Sequence, residues 1–201
     1  MTAIRDTLPT DPDTVTKETV VDFIFDLFRL SGDKEYLGEA VRQGEHAIQS
    51  AILADQLGGR DSLTAAALLH DVGHYLHSYA KDCALTGVDS RHEVVGSDFL
   101  ARFFPPEVSE PVRLHVDAKR YLCAEDPAYF AGLSAASVRS LQLQGGPFDD
   151  AGMAAFRTSP YYEDAVILRR CDDGAKTPDM PLPDVETFRP ILERLVVSQD
   201  Q

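Results

Sequence analysis

Ala66-Ala-Leu-Leu-His-Asp-Val-Gly-His74 is the stretch around which this chain is organised. Four apolar residues run into an adjacent His70 and Asp71, and His74 follows His70 by one helical turn. The apolar run predicts a buried helix that holds its polar end rigidly. Neighbouring residues on a helix point roughly 100° apart. One metal can therefore take the His70 imidazole while the Asp71 carboxylate reaches it from the side or bridges to a second. Gly73 leaves room beside such a site. The competing reading is a helix that merely ends in a polar turn, and the remaining sequence decides between the two.

Working outward, helical periodicity recurs and alternating β patterns are scarce, so the fold class expected is all-α. The 201 residues, 44% hydrophobic, fit one domain with a sizeable core. Residues 1–16, rich in Asp, Thr and Pro, are expected as a flexible N-terminal arm, and residues 17–201 as a single helical domain. Helices are expected near 16–30, 40–57, through the central motif, 91–100, 111–121, 134–144, 150–157, from just after Pro160 to 173, and 185–197. Residues 78–90 and 125–133 are expected as connectors. Gly58-Gly59 should stop the second helix, with Asp61 or Ser62 capping the next.

The net charge of −14 argues against nucleic acid, whose phosphates need a basic face. It leaves room for a small anionic substrate held by local cations. No apolar run approaches the roughly 20 residues needed to span a bilayer, so no membrane association is expected. Cys83, Cys123 and Cys171 are odd in number and scattered, which favours neither disulfides nor a zinc knuckle. A reducing, cytoplasmic setting is expected. The oligomeric state is not legible.

All six histidines fall between residues 46 and 115. His46, His70, His92 and His115 each belong to a separate expected helix, and Asp172 ends a fifth. One bridging carboxylate, Asp71, could divide the others between two metals. Nitrogen and oxygen ligands without sulfur suit iron, manganese or zinc. Asp173 competes with Asp172 for the last position. Lys119 follows His115 by one turn and shares its face. With Arg120, Arg169, Arg170 and Lys176 it supplies cations for an anionic ligand. His77 is expected at the surface. Asp117 could attract a cationic group on the substrate.

The order His, His-Asp, His, His, Asp resembles the HD-domain superfamily, which implies a helical bundle with a central dinuclear metal site. A narrower resemblance rests on Tyr36-Leu-Gly-Glu39, Glu45-His46, Leu69-His-Asp-Val-Gly-His74, Arg91-His-Glu-Val-Val-Gly96, His115-Val-Asp-Ala-Lys-Arg-Tyr-Leu122, Gln144-Gly-Gly-Pro147 and Arg169-Arg-Cys-Asp172. These segments look like the mixed-valent diiron oxygenases that cleave carbon–phosphorus bonds. The resemblance implies two iron ions, Fe(II)/Fe(III), with dioxygen as cosubstrate. It implies ligands His46, His70, Asp71, His92, His115 and Asp172, with Tyr36 at an iron in the resting enzyme, steadied by Glu39. His74, Lys119, Ser137 and Arg169 would hold the phosphonate, and His74 would also serve catalysis. The implied substrate is 1-hydroxy-2-(trimethylammonio)ethylphosphonate or 2-amino-1-hydroxyethylphosphonate, giving phosphate and betaine or glycine. A metal-dependent phosphohydrolase of the same fold is the alternative, and a binding module with a vestigial site a third. Tyr36 weighs against hydrolysis, which has no use for a displaceable phenolate.

Overall fold

The structure, a computed structural model, describes residues 8, 10–36, 38–76 and 91–197. His77, Cys83 and the connector expected at 78–90 lie outside the described residues. Among those residues the chain is helical, with an isolated antiparallel bridge between Glu35 and Arg42.

Helix α1 (Val20–Ser31) places Val20, Phe23, Ile24, Phe25, Leu27 and Phe28 in the core. Helix α2 (Gln43–Gly58) opens with the Arg42 amide donating to Glu45 Oε2 at 2.7 Å. It closes where Gly59 takes φ +57°, the left-handed conformation that glycine adopts at little steric cost. Helix α3 (Asp61–Leu69) is buried from Leu63 through Leu69. Arg60, rather than Asp61 or Ser62, holds its N-cap position.

The central motif departs from a single helix. α3 ends at Leu69, His70 and Asp71 form a turn, and a short α4 (Val72–Leu76) follows. The His70 ring bonds the Ala67 carbonyl at 2.8 Å, and the His74 amide bonds back only three residues, to Asp71 O at 2.9 Å. This tightening changes where Asp71 points relative to a straight helix.

Helix α5 (His92–Leu100) crosses α4, and the long α6 (Pro106–Glu125) packs on α3 and α5. Expectation placed the start of α6 at Pro111. The helix instead begins at Pro106, where a missing amide costs nothing, and absorbs Pro111 in its interior. The expected connector at 125–133 contains a short α7 (Pro127–Ala131), with Asp126 accepting from the Ala128 amide. Then come α8 (Ala135–Leu143), α9 (Asp150–Phe156), α10 (Tyr162–Gly174), a 3-10 turn at Val185–Phe188 and α11 (Arg189–Leu195). α10 lies against both α6 and α2.

Of the segment expected as a flexible arm, Pro12 and Val15 contact the helical domain. A 3-10 turn forms at Pro12–Thr14, Val15 enters the core, and Arg102 Nη1 donates to Pro12 O at 3.0 Å. Among the described residues no helix is long and apolar enough to cross a membrane.

Candidate metal centre

Five helical segments converge on one point. α2 brings His46, the α3–α4 turn brings His70 and Asp71, α5 brings His92, α6 brings His115 and α10 brings Asp172. All six side chains are buried, though no apolar packing explains so many polar groups together.

The closest contacts are between imidazoles. His46 Nε2 lies 3.1 Å from His70 Nε2, and His92 Nε2 lies 3.1 Å from His115 Nε2. The other nitrogens of three of these rings are spent on main-chain carbonyls: His46 Nδ1 on Ala175 at 2.9 Å, His70 Nδ1 on Ala67 at 2.8 Å and His115 Nδ1 on Val112 at 2.7 Å. A carbonyl only accepts, so each Nδ1 carries the proton and, in the neutral ring, leaves a lone pair on Nε2. Burial, the largest influence, pushes His46 down and His115 well below the usual histidine range, keeping both rings neutral. In the His46–His70 pair two lone pairs are thus aimed together, and at this distance they repel unless a cation lies between them. Carbonyl-fixed rings with converging nitrogens are the arrangement of metal-binding histidines.

Asp71 divides the cluster. Its Oδ2 lies 3.5 Å from His70 Nε2 and 3.9 Å from His46 Nε2, whereas Oδ1 lies 3.3 Å from His92 Nε2 and 3.8 Å from His74 Nε2. Oδ2 is buried and makes no hydrogen bond among the described residues. Asp172 completes the first half, its Oδ1 3.5 Å from His46 Nε2. The residues therefore fit two cations joined by one carboxylate: His46, His70, Asp172 and Asp71 Oδ2 on one side, and His92, His115, Asp71 Oδ1 and the approaching His74 on the other. Burial pushes the Asp71 carboxyl up, but His70, His92 and His74 outweigh it and hold the group well below the usual range. His92 goes the opposite way to His46: burial lowers it, yet the Asp71 bond and charge raise it overall. Burial beside His92, on which it stacks with centroids 4.1 Å apart, pushes His74 down to about 3.

Tyr36 covers the first half. Its ring stacks on His46 at 4.0 Å and 17°, and it is buried. Burial, with Asp71 and Asp172 near its hydroxyl, raises the phenol well above its ordinary value. Glu39 is joined to Tyr36 through the main chain, its amide donating to Tyr36 O at 2.7 Å. The Glu39 carboxylate goes elsewhere, accepting from Ser134 Oγ at 2.6 Å and pairing with Lys176 Nζ at 3.3 Å.

Of the four expected anion-binding residues, His74 stacks on His92 in the second half, and Lys119, Ser137 and Arg169 lie apart from it. Lys119 is buried and donates to Ser140 Oγ at 2.9 Å. Burial first, then Arg169, pushes it down to about 8. Ser137 lies in the first turn of α8, and its Oγ is 3.4 Å from Lys176 Nζ. Arg169 donates to Asp172 Oδ2 at 2.7 Å, to Asp173 and to Tyr129. Asp173, the competitor for the last position, is thus committed to Arg169 and Tyr129. Arg120 turns away to hold Gly146 O at 3.0 Å and to stack on Phe148. Asp117 is half-exposed and paired with Arg120, away from the imidazoles.

An HD-domain model matches residues 44–173. The chain belongs to the HD-domain family. The matched span holds His46, His70, Asp71, His92, His115 and Asp172, whereas Tyr36, Glu39 and Lys176 lie outside it. Over 186 residues, 92% of the chain and 95% of the relative, this HD-domain protein is 40% identical to a [1-hydroxy-2-(trimethylamino)ethyl]phosphonate dioxygenase (glycine-betaine-forming) of Leisingera caerulea. Over 174 residues, 86% of each chain, it is 44% identical to a hydroxymethylphosphonate dioxygenase of Gimesia maris (strain ATCC 29201 / DSM 8797 / 534-30). It is 29% identical to uncharacterized protein L432 of Acanthamoeba polyphaga mimivirus over 174 residues.

Sequence reading missed three contributors and left a fourth, Tyr129, as one of several aromatic residues near the expected pocket without a place. Ser134 and Ser140 extend Ser137 into a series spaced by three, a periodicity that marks one helix face and was readable in principle. Gln49 clamps Thr177 with both amide atoms, at 2.9 and 3.0 Å, and Tyr129 bonds Arg169. No local pattern announces these last two partnerships, whose members are 128 and 40 residues apart.

Proposed function

We propose that this HD-domain protein is a dioxygenase that cleaves the carbon–phosphorus bond of a small 1-hydroxyphosphonate, giving phosphate and a carboxylic acid. The observation that supports this most is the placement of Asp71, one carboxylate oxygen toward each imidazole pair, beneath a tyrosine stacked on His46. A phosphohydrolase has no evident need for that tyrosine, and both phosphonate relatives are named dioxygenases.

Two iron ions would sit in the two halves, held by His46, His70 and Asp172, by His92 and His115, and by the shared Asp71. Bound there, iron supplies Lewis acidity and one-electron chemistry toward dioxygen. The chain's own residues do the rest. Lys119, Ser137 and Arg169 would receive the phosphonate, whose charged oxygens need charge-assisted donors in so acidic a protein. His74, held neutral by burial, would orient the substrate hydroxyl through a hydrogen bond. Tyr36 would fill the substrate position until the hydroxyphosphonate displaces it. By atom balance, one dioxygen adds one oxygen to carbon and one to phosphorus as the bond between them breaks.

The test is anaerobic loading with ferrous iron, followed by air and a 1-hydroxyphosphonate. Two irons per chain, with equal release of phosphate and carboxylic acid and uptake of one dioxygen, are expected. Turnover without dioxygen, or with magnesium or manganese alone, would replace this reading with hydrolysis.

A further inference from the structure

Lys176 stands where it can choose among substrates. It belongs to a strap that leaves the end of α10 and is fixed on both sides. The Ala175 carbonyl accepts from His46 Nδ1, and Thr177 is clamped by the buried Gln49. The Lys176 side chain is mostly buried at 17% exposure, and its ammonium lies between Glu39 Oε1 at 3.3 Å and Ser137 Oγ at 3.4 Å. Lys176 follows Ala175, whose carbonyl holds the His46 ring beneath Tyr36, and its other partner, Ser137, is an expected phosphonate contact, so the Glu39–Lys176 pair adjoins the place that a substrate takes when the tyrosine leaves.

A substrate carrying a cationic substituent needs a carboxylate or an aromatic cage to compensate its desolvation. The described carboxylates around this centre are already matched. Asp71 and Asp172 face the imidazoles, Asp173 is held by Arg169 and Tyr129, Glu93 lies 3.5 Å from His92 Nδ1, and Glu39 is taken by Lys176 and Ser134. A second cation beside Glu39 would meet the Lys176 ammonium as a like charge in a part-buried setting, where repulsion is weakly screened. An uncharged substituent meets no such opposition.

We propose that Lys176, by neutralising Glu39 from a rigid strap, makes this chain selective for hydroxyphosphonates whose carbon substituent carries no positive charge. The proposal rests on the dioxygenase reading and deepens it. Two relatives frame the choice: one is named for a trimethylamino substrate and the other for hydroxymethylphosphonate, which has no amine.

The test compares kcat/KM of the iron-loaded enzyme for hydroxymethylphosphonate, 1-hydroxy-2-(trimethylamino)ethylphosphonate and its uncharged tert-butyl isostere, 1-hydroxy-3,3-dimethylbutylphosphonate. The isostere separates charge from size. Wild type should prefer the isostere to the cation by about tenfold or more, the worth of one part-buried charge contact. Lys176→Gln should lower that ratio to about one or below, whereas Lys176→Arg should preserve it. Equal or better use of the cation by wild type would overturn the proposal without any variant being needed. So would a ratio unchanged in Lys176→Gln, or exclusion of both bulky substrates alike, which would make size the determinant. Failure of iron-loaded wild type to oxidise any of the three compounds would instead sink the dioxygenase reading, and the proposal with it.

Discussion

Gly73→Ala tests whether the crossing of α4 and α5 builds the second half of the centre. A Cβ on Gly73 would fall 2.0 Å from the His92 carbonyl oxygen, 2.8 Å from its carbon and 3.0 Å from the Gly96 amide. These are backbone atoms and cannot rotate aside. Reaching ordinary contact at 3.4 Å from 2.0 Å requires the elements to part by 1.4 Å along that line. Asp71 and His74 flank Gly73 on one side, and His92 is the residue struck on the other. The 3.3 Å approach of His92 Nε2 to Asp71 Oδ1 should open by a comparable amount. Metal–ligand distances tolerate only about 0.2 Å, so a bridge from Asp71 to a cation on His92 and His115 would fail. His46, His70 and Asp172 lie away from this crossing and should keep their cation. Overpacking of this kind costs roughly 1–3 kcal/mol, or about 2–12 °C in Tm for a domain of this size. The assay is iron per chain by elemental analysis, beside thermal unfolding and turnover. Iron should fall from two toward one, Tm should drop and activity should vanish. Gly96→Ala should do less, because its Cβ would meet Gly73 N at 3.1 Å and the movable Val72 Cγ1 at 3.2 Å. Two irons with unchanged Tm in Gly73→Ala would show that the crossing does not set the ligand geometry.

Asp71→Ala should lose both irons and all activity, since one side chain faces both halves; elemental analysis showing full iron would remove the bridging role. Lys119→Ala should keep its iron and raise KM, because a charge-assisted contact is worth roughly 1.5–3 kcal/mol, about 10- to 150-fold; unchanged KM would place Lys119 outside the substrate site. Lys119 is protonated below its depressed pKa of about 8 and neutral above it, so substrate binding should weaken as pH rises through that value, with Lys119→Arg moving the onset upward. Tyr36 is held as a neutral phenol by burial, Asp71 and Asp172, so ionisation near neutral pH requires a metal cation at its oxygen. The oxidised, substrate-free enzyme should therefore show a visible charge-transfer band that fades on adding hydroxyphosphonate and is missing in Tyr36→Phe; identical spectra for the two proteins would end the displacement idea.

The all-α class, the helix order and the identity of the clustered imidazoles and carboxylates were legible in the sequence because they are periodic or local. Apolar spacing marks a helix face, Gly58-Gly59 marks its end, and an adjacent His-Asp pair is unusual enough to read directly. Gly73 was read as leaving room beside a metal site, whereas the room is taken by the His92 carbonyl where α5 crosses. What lay beyond reach was directional. The break between α3 and α4 turns Asp71 so that its two oxygens face opposite imidazole pairs, and that depends on the Ala67 carbonyl engaging His70. Pro111 inside α6 could not be told from a helix start, because a proline amide is missing at either place. Arg120 and Arg169 look alike in the sequence, yet one braces the turn at Gly146 and the other is buried against Asp172. The pairing of Glu39 with Lys176 joins positions 137 residues apart and exists only because α10 ends beside α2. Local sequence determines which groups are available and how each helix is formed. Where those groups point, and which charges cancel before a substrate arrives, is decided by packing between distant segments, which no window of sequence contains.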